Sequence, residues 1–140
     1  MKKEPRARQF MYVQDLDHLK VKEDDLSDIL NKSGALEWVY INHDKDPKKD
    51  EDGKIIRPHI HAVLKYENPQ KVSTVANLFK DQSQYVDVWK GRIANAYSYL
   101  LHETEEAREQ GKHVYKASEA VASFDFPARM KSIRAKITKS

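Results

Sequence analysis

The sequence has no cysteine, four glycines among 140 residues, and no long hydrophobic run. Without thiols there are no disulfides to brace the core and no thiolate metal ligands, so a metal site here must be built from imidazole and carboxylate. The same absence suits a reducing compartment. No apolar run approaches the roughly 20 residues that cross a bilayer, and no apolar segment follows Lys2-Lys3. The chain therefore reads as cytoplasmic, without a membrane partner. Charge of one sign is scarce too: 25 Lys plus Arg against 22 Asp plus Glu leave a net +3, which permits a polyanionic partner without requiring one. The length fits one domain and leaves no room for a second full one.

What is present is a regular succession of short elements. Residues 8–14 and 36–42 are apolar, aromatic runs that read as strands, and between them Leu26, Ile29 and Leu30 recur at helical spacing over residues 22–32 before Gly34 stops the helix. Residues 44–57 have no apolar periodicity and read as a long exposed hairpin connection, with Asp52-Gly53 its tight turn. A third strand runs from Pro58 to about Tyr66. Asn68-Pro69 then caps a helix carrying Val72, Val75, Ala76 and Phe79, and residues 84–90 return to period two. Strand, helix, strand, strand, helix, strand predicts an α+β fold of the ferredoxin-like, split βαβ type, with two helices on one side of an antiparallel sheet and the other face free. Beyond it, residues 93–110 read as one helix ended by Gly111, and His113-Val114-Tyr115 as a further short strand, bringing the sheet to about five. Met130, Ile133 and Ile137 space a basic amphipathic helix at the end, with little left to pack on.

The chemistry concentrates in Pro58-His59-Ile60-His61. Period two points His59 and His61 to one face, and two imidazoles side by side on a strand form half of a divalent-metal site. His43-Asp44-Lys45-Asp46 ends the neighbouring strand and brings a third imidazole and a carboxylate, with Asp44 and Asp46 both candidates. Mixed nitrogen and oxygen ligands suit Mn²⁺, Co²⁺, Zn²⁺ or, more weakly, Mg²⁺. Downstream, Tyr97-Ser98-Tyr99-Leu100-Leu101-His102 offers a phenol to that metal, Tyr97 or Tyr99, and the pairing of metal and tyrosine points to phosphoryl transfer.

At these residues the sequence resembles the HUH class of rolling-circle plasmid replication initiators, the His-hydrophobe-His nicking endonucleases, and most closely those of small Gram-positive plasmids. His43-Asp44-Lys45-Asp46, Pro58-His59-Ile60-His61, Tyr97-Ser98-Tyr99-Leu100-Leu101-His102 and Gly111-Lys112-His113-Val114-Tyr115 occur in the family's order over residues 8–126. The resemblance implies metal ligands at His43, Asp46, His59 and His61, a nucleophile at Tyr99, and Mn²⁺ or Mg²⁺ as the ion. It also implies nicking of one strand in the loop of an origin hairpin, a covalent 5′-phosphotyrosine, and a free 3′ hydroxyl that primes the host replication machinery. Adjacent duplex repeats are bound as well.

Many relatives carry a lysine shortly after the tyrosine, whereas this chain has His102, which takes a supporting catalytic role. Residues 1–126 are assigned to the endonuclease and origin-binding unit, and residues 127–140 to the start of a linker or of a C-terminal oligomerisation region that is missing here. Two other readings share the fold: a non-catalytic origin-binding module, and a relaxase- or transposase-like strand transferase of a mobile element.

Overall fold

The computed structural model describes residues 4–45, 49 and 52–138. Five strands, β1 (Arg6–Asp15), β2 (Glu37–His43), β3 (His59–Lys71), β4 (Val86–Val88) and β5 (Val121–Ala122), form one sheet in the order β4-β1-β3-β2-β5. Its pairings are antiparallel. The first four strands follow the split βαβ order, β1 and β2 flanking β3 and joined by a crossover through α1 (Leu26–Asn31). The α+β, five-stranded expectation is met.

The fifth strand is not the one expected. Tyr115 spends its backbone N–H on the Leu101 carbonyl (2.9 Å) rather than on a sheet edge, and the residues that pair with β2 are Val121 and Ala122, opposite Tyr40 and Val39. Two residues are too few to show a period.

β3 also runs past its expected end near Tyr66, so that Asn68-Pro69 lies within the strand instead of capping a helix, and α2 is confined to Val72–Leu78. A register shift between Ala7 and Gln9 lets β1 follow β3 out to Lys71, while β2 has stopped pairing at Glu37 opposite Lys65. Pro69 therefore sits where one flank of β3 is a free edge, and its missing N–H costs no ladder bond.

Helices cover both faces, contrary to the expectation of a free one. Phe10, Tyr12, Ile60, Ala62 and Leu64 meet Leu26 and Leu30 of α1 and Val75 and Ala76 of α2, with Phe79 stacked on Tyr12 at 3.9 Å. On the opposite face Met11, Val39, Ile41 and Val63 pack against Ala96, Tyr97 and Leu100 of α3 (Ile93–Leu100) and Phe126 and Met130 of α5 (Phe126–Thr138). The sequence carries the reason: Ala62-Val63-Leu64 is apolar on both alternations, which marks a strand buried on two sides. The closing basic helix thus finds a seat, with Met130 fully buried.

The helix expected over residues 93–110 is two. α3 ends at Leu100, His102 takes a left-handed conformation (φ 59°), and α4 spans Glu105–Glu109. Thr104 caps α4, its hydroxyl accepting from the Ala107 N–H at 3.2 Å, and Glu105 and Glu106 favour its dipole. That Thr-Glu-Glu start is visible in the sequence.

A candidate metal centre beside Tyr99

Three strand-borne histidines converge at the end of β2 and the start of β3. His43 pairs with His59 across the two strands, and His61 is two residues further along β3 on the same face as Val63. The ring centroids lie 4.3 Å apart for His43 and His61, 4.8 Å for His59 and His61, and 5.2 Å for His43 and His59. One ring nitrogen from each lies within 4.8 Å of those of the other two. His43 and His61 are buried, and His59 is partly open to solvent.

Backbone carbonyls set two of the tautomers. The His43 Nε2 lies 2.6 Å from the Leu100 carbonyl and the His59 Nδ1 lies 2.8 Å from the Arg57 carbonyl. A carbonyl only accepts, so each of those nitrogens is the donor, and the other ring nitrogen is the one whose lone pair a metal would use. The two lone-pair nitrogens, His43 Nδ1 and His59 Nε2, face each other at 3.3 Å. A cation placed between them would take both lone pairs. His61 adds a third: its Nδ1 is buried with no hydrogen-bond partner among the described residues. Burial first, and then the neighbouring His43, His59 and His102, hold the His61 pKa well below its usual range, so the imidazole is neutral and its lone pair available at pH 7. The donor set fits a divalent cation.

The carboxylate expected to complete the set, Asp46, lies outside the described residues, as do Pro47, Asp50 and Glu51 of the same connection. Asp44 is exposed. The chain entering Asp46 is anchored at Lys45, whose N–H donates to the Tyr115 hydroxyl (3.0 Å) and whose ammonium pairs with Glu119. Tyr115 in turn stacks on the His43 ring at 4.5 Å, nearly parallel. The spacing of residues gave Tyr115 no role, although it closes one of the motifs that carried the family resemblance.

The two tyrosines separate clearly. Tyr97 is fully buried and donates its hydroxyl to Glu37 Oε1 at 2.6 Å, and its pKa is driven far upward by burial and then by that carboxylate. Tyr99, on the other side of α3, keeps part of its surface exposed, with its ring 5.8 Å from His61 and 6.0 Å from Trp89. Burial, then the charges of Glu106 and Asp87, raise its pKa, so the phenol is protonated at neutral pH. His102 is buried rather than displayed on a helix face: its ring lies 4.4 Å from that of His43 and 6.5 Å from that of Tyr99, and its Nδ1 donates to the His113 carbonyl at 2.9 Å. It braces the histidine cluster from inside.

Residues 2–127 match the family described as plasmid replication protein, origin binding domain. The chain belongs to that family. A curated relative, a replication protein of Onion yellows phytoplasma (strain OY-M), is 31% identical over 104 residues, covering 68% of this chain and 26% of the relative. The chain thus spans about a quarter of that relative's length. The match falls on the origin-binding domain of plasmid replication proteins, and the chain carries an HUH-like histidine triad on its sheet. Among the described residues no helix is long and apolar enough to cross a membrane.

Proposed function

We propose that this origin-binding protein nicks one strand of a plasmid origin, in the single-stranded loop of a hairpin, and carries the cut end on Tyr99. The phenolic oxygen attacks phosphorus, forming the O–P bond of a 5′-phosphotyrosine. The bond from phosphorus to the 3′ oxygen breaks, that oxygen takes up a proton, and the phenol releases its own. The freed 3′ hydroxyl primes synthesis by the host replication machinery, and the reverse transfer rejoins ends. His43, His59 and His61, with Asp46 as carboxylate, hold a divalent ion, Mn²⁺ or Mg²⁺. The bound ion supplies positive charge to nonbridging phosphate oxygens and to a phenol that must lose its proton, a contribution worth several kcal/mol.

The observation that carries this reading is the placement of a partly exposed phenol 5.8 Å, ring to ring, from an imidazole whose buried Nδ1 has no hydrogen-bond partner among the described residues. Its neighbour Tyr97 is tied to Glu37, which leaves Tyr99 the better nucleophile, as the family resemblance implies. His102 takes a supporting part by packing on His43.

The wider assignments rest on family membership. Residues 1–126, with α5 packed on their second face, form the DNA-processing unit, which acts in the cytoplasm on the hairpin loop and adjacent duplex repeats. Incubating the protein with a labelled origin-type hairpin, with and without Mn²⁺, followed by a denaturing gel and mass spectrometry, tests the central claim. A metal-dependent adduct on Tyr99 is expected. An adduct on Tyr97 overturns the assignment, and DNA binding without any adduct leaves a non-catalytic origin-binding module.

A further inference from the structure

Trp89 has no part in the chemistry above, yet it lies next to Tyr99. The chain has two tryptophans, and the other, Trp38, is 3% exposed within the first core. Trp89 packs against the second core and is only partly buried. Its ring centroid is 6.0 Å from that of Tyr99, which is 5.8 Å from that of His61, so the phenol neighbours both the indole and an imidazole of the candidate metal centre.

The ring is held rather than loosely placed. The indole Nε1–H donates to the Arg92 carbonyl at 3.0 Å, which satisfies its one polar group within the protein. The Trp89 N–H donates to the Gln9 carbonyl at 2.9 Å, and the Gln9 side-chain amide reaches back to the carbonyls of Trp89 (3.3 Å) and Gly91 (2.9 Å). A preset aromatic face loses little conformational freedom when another ring stacks on it.

We propose that Trp89 is a stacking platform for one nucleobase of the single strand, next to the phosphate presented to Tyr99, with exposed Lys90 and Arg92 beside it to receive the backbone. The proposal rests on the nicking reading of Tyr99. Stacking is indifferent to sequence because every base offers a π face, so Trp89 anchors the strand without choosing the nick site.

The test uses tryptophan fluorescence and labelled-oligonucleotide anisotropy on the full chain, with short oligothymidylate as the probe and no metal added. Wild-type fluorescence falls saturably with oligonucleotide, and the fall is lost in Trp89→Phe, which keeps a smaller ring and most of the affinity. Trp89→Leu, checked for an unchanged melting temperature, weakens binding by about 5- to 150-fold. If wild-type protein forms the Tyr99 adduct on a hairpin while oligonucleotide leaves its fluorescence unchanged, the stacking proposal is overturned and nicking stands. If quenching and the Trp89→Leu loss occur without any adduct, the base subsite stands and nicking falls. A Trp89→Leu protein that is folded and binds as tightly as wild type also overturns the proposal.

Discussion

The His43 imidazole donates its Nε2–H to the carbonyl of Leu100, 2.6 Å away, and Leu100 is the residue that follows Tyr99 on α3. One hydrogen bond thus fixes which His43 nitrogen faces His59 and tethers the helix that bears the candidate nucleophile to the candidate metal centre. Displacing the end of α3 would disturb ligand and phenol together.

Tyr115 supports the same imidazole from its other side, so its substitution should act on metal binding. Tyr115→Phe keeps the ring stacked on His43 and removes the hydroxyl that receives the Lys45 N–H. It should weaken Mn²⁺ affinity by up to about 10-fold, and Tyr115→Ala by more, since partners that orient ligands contribute about 10- to 100-fold. Isothermal titration with Mn²⁺ measures both, and equal affinity in all three proteins would remove Tyr115 from the site.

Tyr97 and Tyr99 should give opposite phenotypes. Tyr99→Phe should abolish covalent attachment and leave DNA affinity nearly unchanged. Tyr97→Phe should retain the adduct but lose the bond to Glu37, at about 1–2 kcal/mol of stability, read from urea denaturation.

A cation bound among the histidines stabilises the folded chain by mass action. Mn²⁺ at about 100 times its dissociation constant should add about 2.7 kcal/mol, seen as a rise in melting temperature. His61→Ala and His59→Ala should lose most of that rise along with metal-dependent cleavage. A shift undiminished in His61→Ala would place the ion elsewhere.

Glu37 makes stability depend on acid. Burial alone would raise its pKa, but the hydrogen bonds from Arg129 (3.1 Å to each carboxylate oxygen) and from Tyr97 outweigh it and hold the value below the usual carboxylate range. A depressed pKa contributes stability that is complete above the unfolded value, near 4.5, and is lost as pH falls through the folded value. Chemical denaturation between pH 7 and pH 3 should therefore show a loss that is smaller in Glu37→Gln. Because Arg129 is partly exposed, Arg129→Ala should cost only about 1–2 kcal/mol at pH 7.

Helix α5 should be required for the fold's second face. Met130 is fully buried there, so Met130→Ala should cost about 2–5 kcal/mol, and a chain ending at residue 126 should melt well below the full one. Equal melting temperatures would mean that α5 is only loosely seated.

Much of this was legible in the chain. Alternation in His59-Ile60-His61-Ala62 put both histidines on one face because strand periodicity is a property of the backbone, and the order of strands and helices led to the split βαβ sheet. The break at His102 was partly legible through Thr104 and its following glutamates. The covered second face was legible too, in the doubly apolar Ala62-Val63-Leu64, but the stripe of Met130, Ile133 and Ile137 does not say which surface it meets. β5 was not legible, because two residues show no period.

By itself the sequence determined the ligand types, the shared face of His59 and His61, and membership of the initiator family, since these depend on residue identity and on backbone period. Only the tertiary structure decided that Leu100 and Arg57 carbonyls orient the imidazoles, that Glu37 ties down Tyr97, and that Tyr99 lies between His61 and Trp89. Those relations join residues up to 60 positions apart through hydrogen bonds and ring contacts, several of them to backbone atoms that every residue possesses, and no local pattern of side chains encodes them.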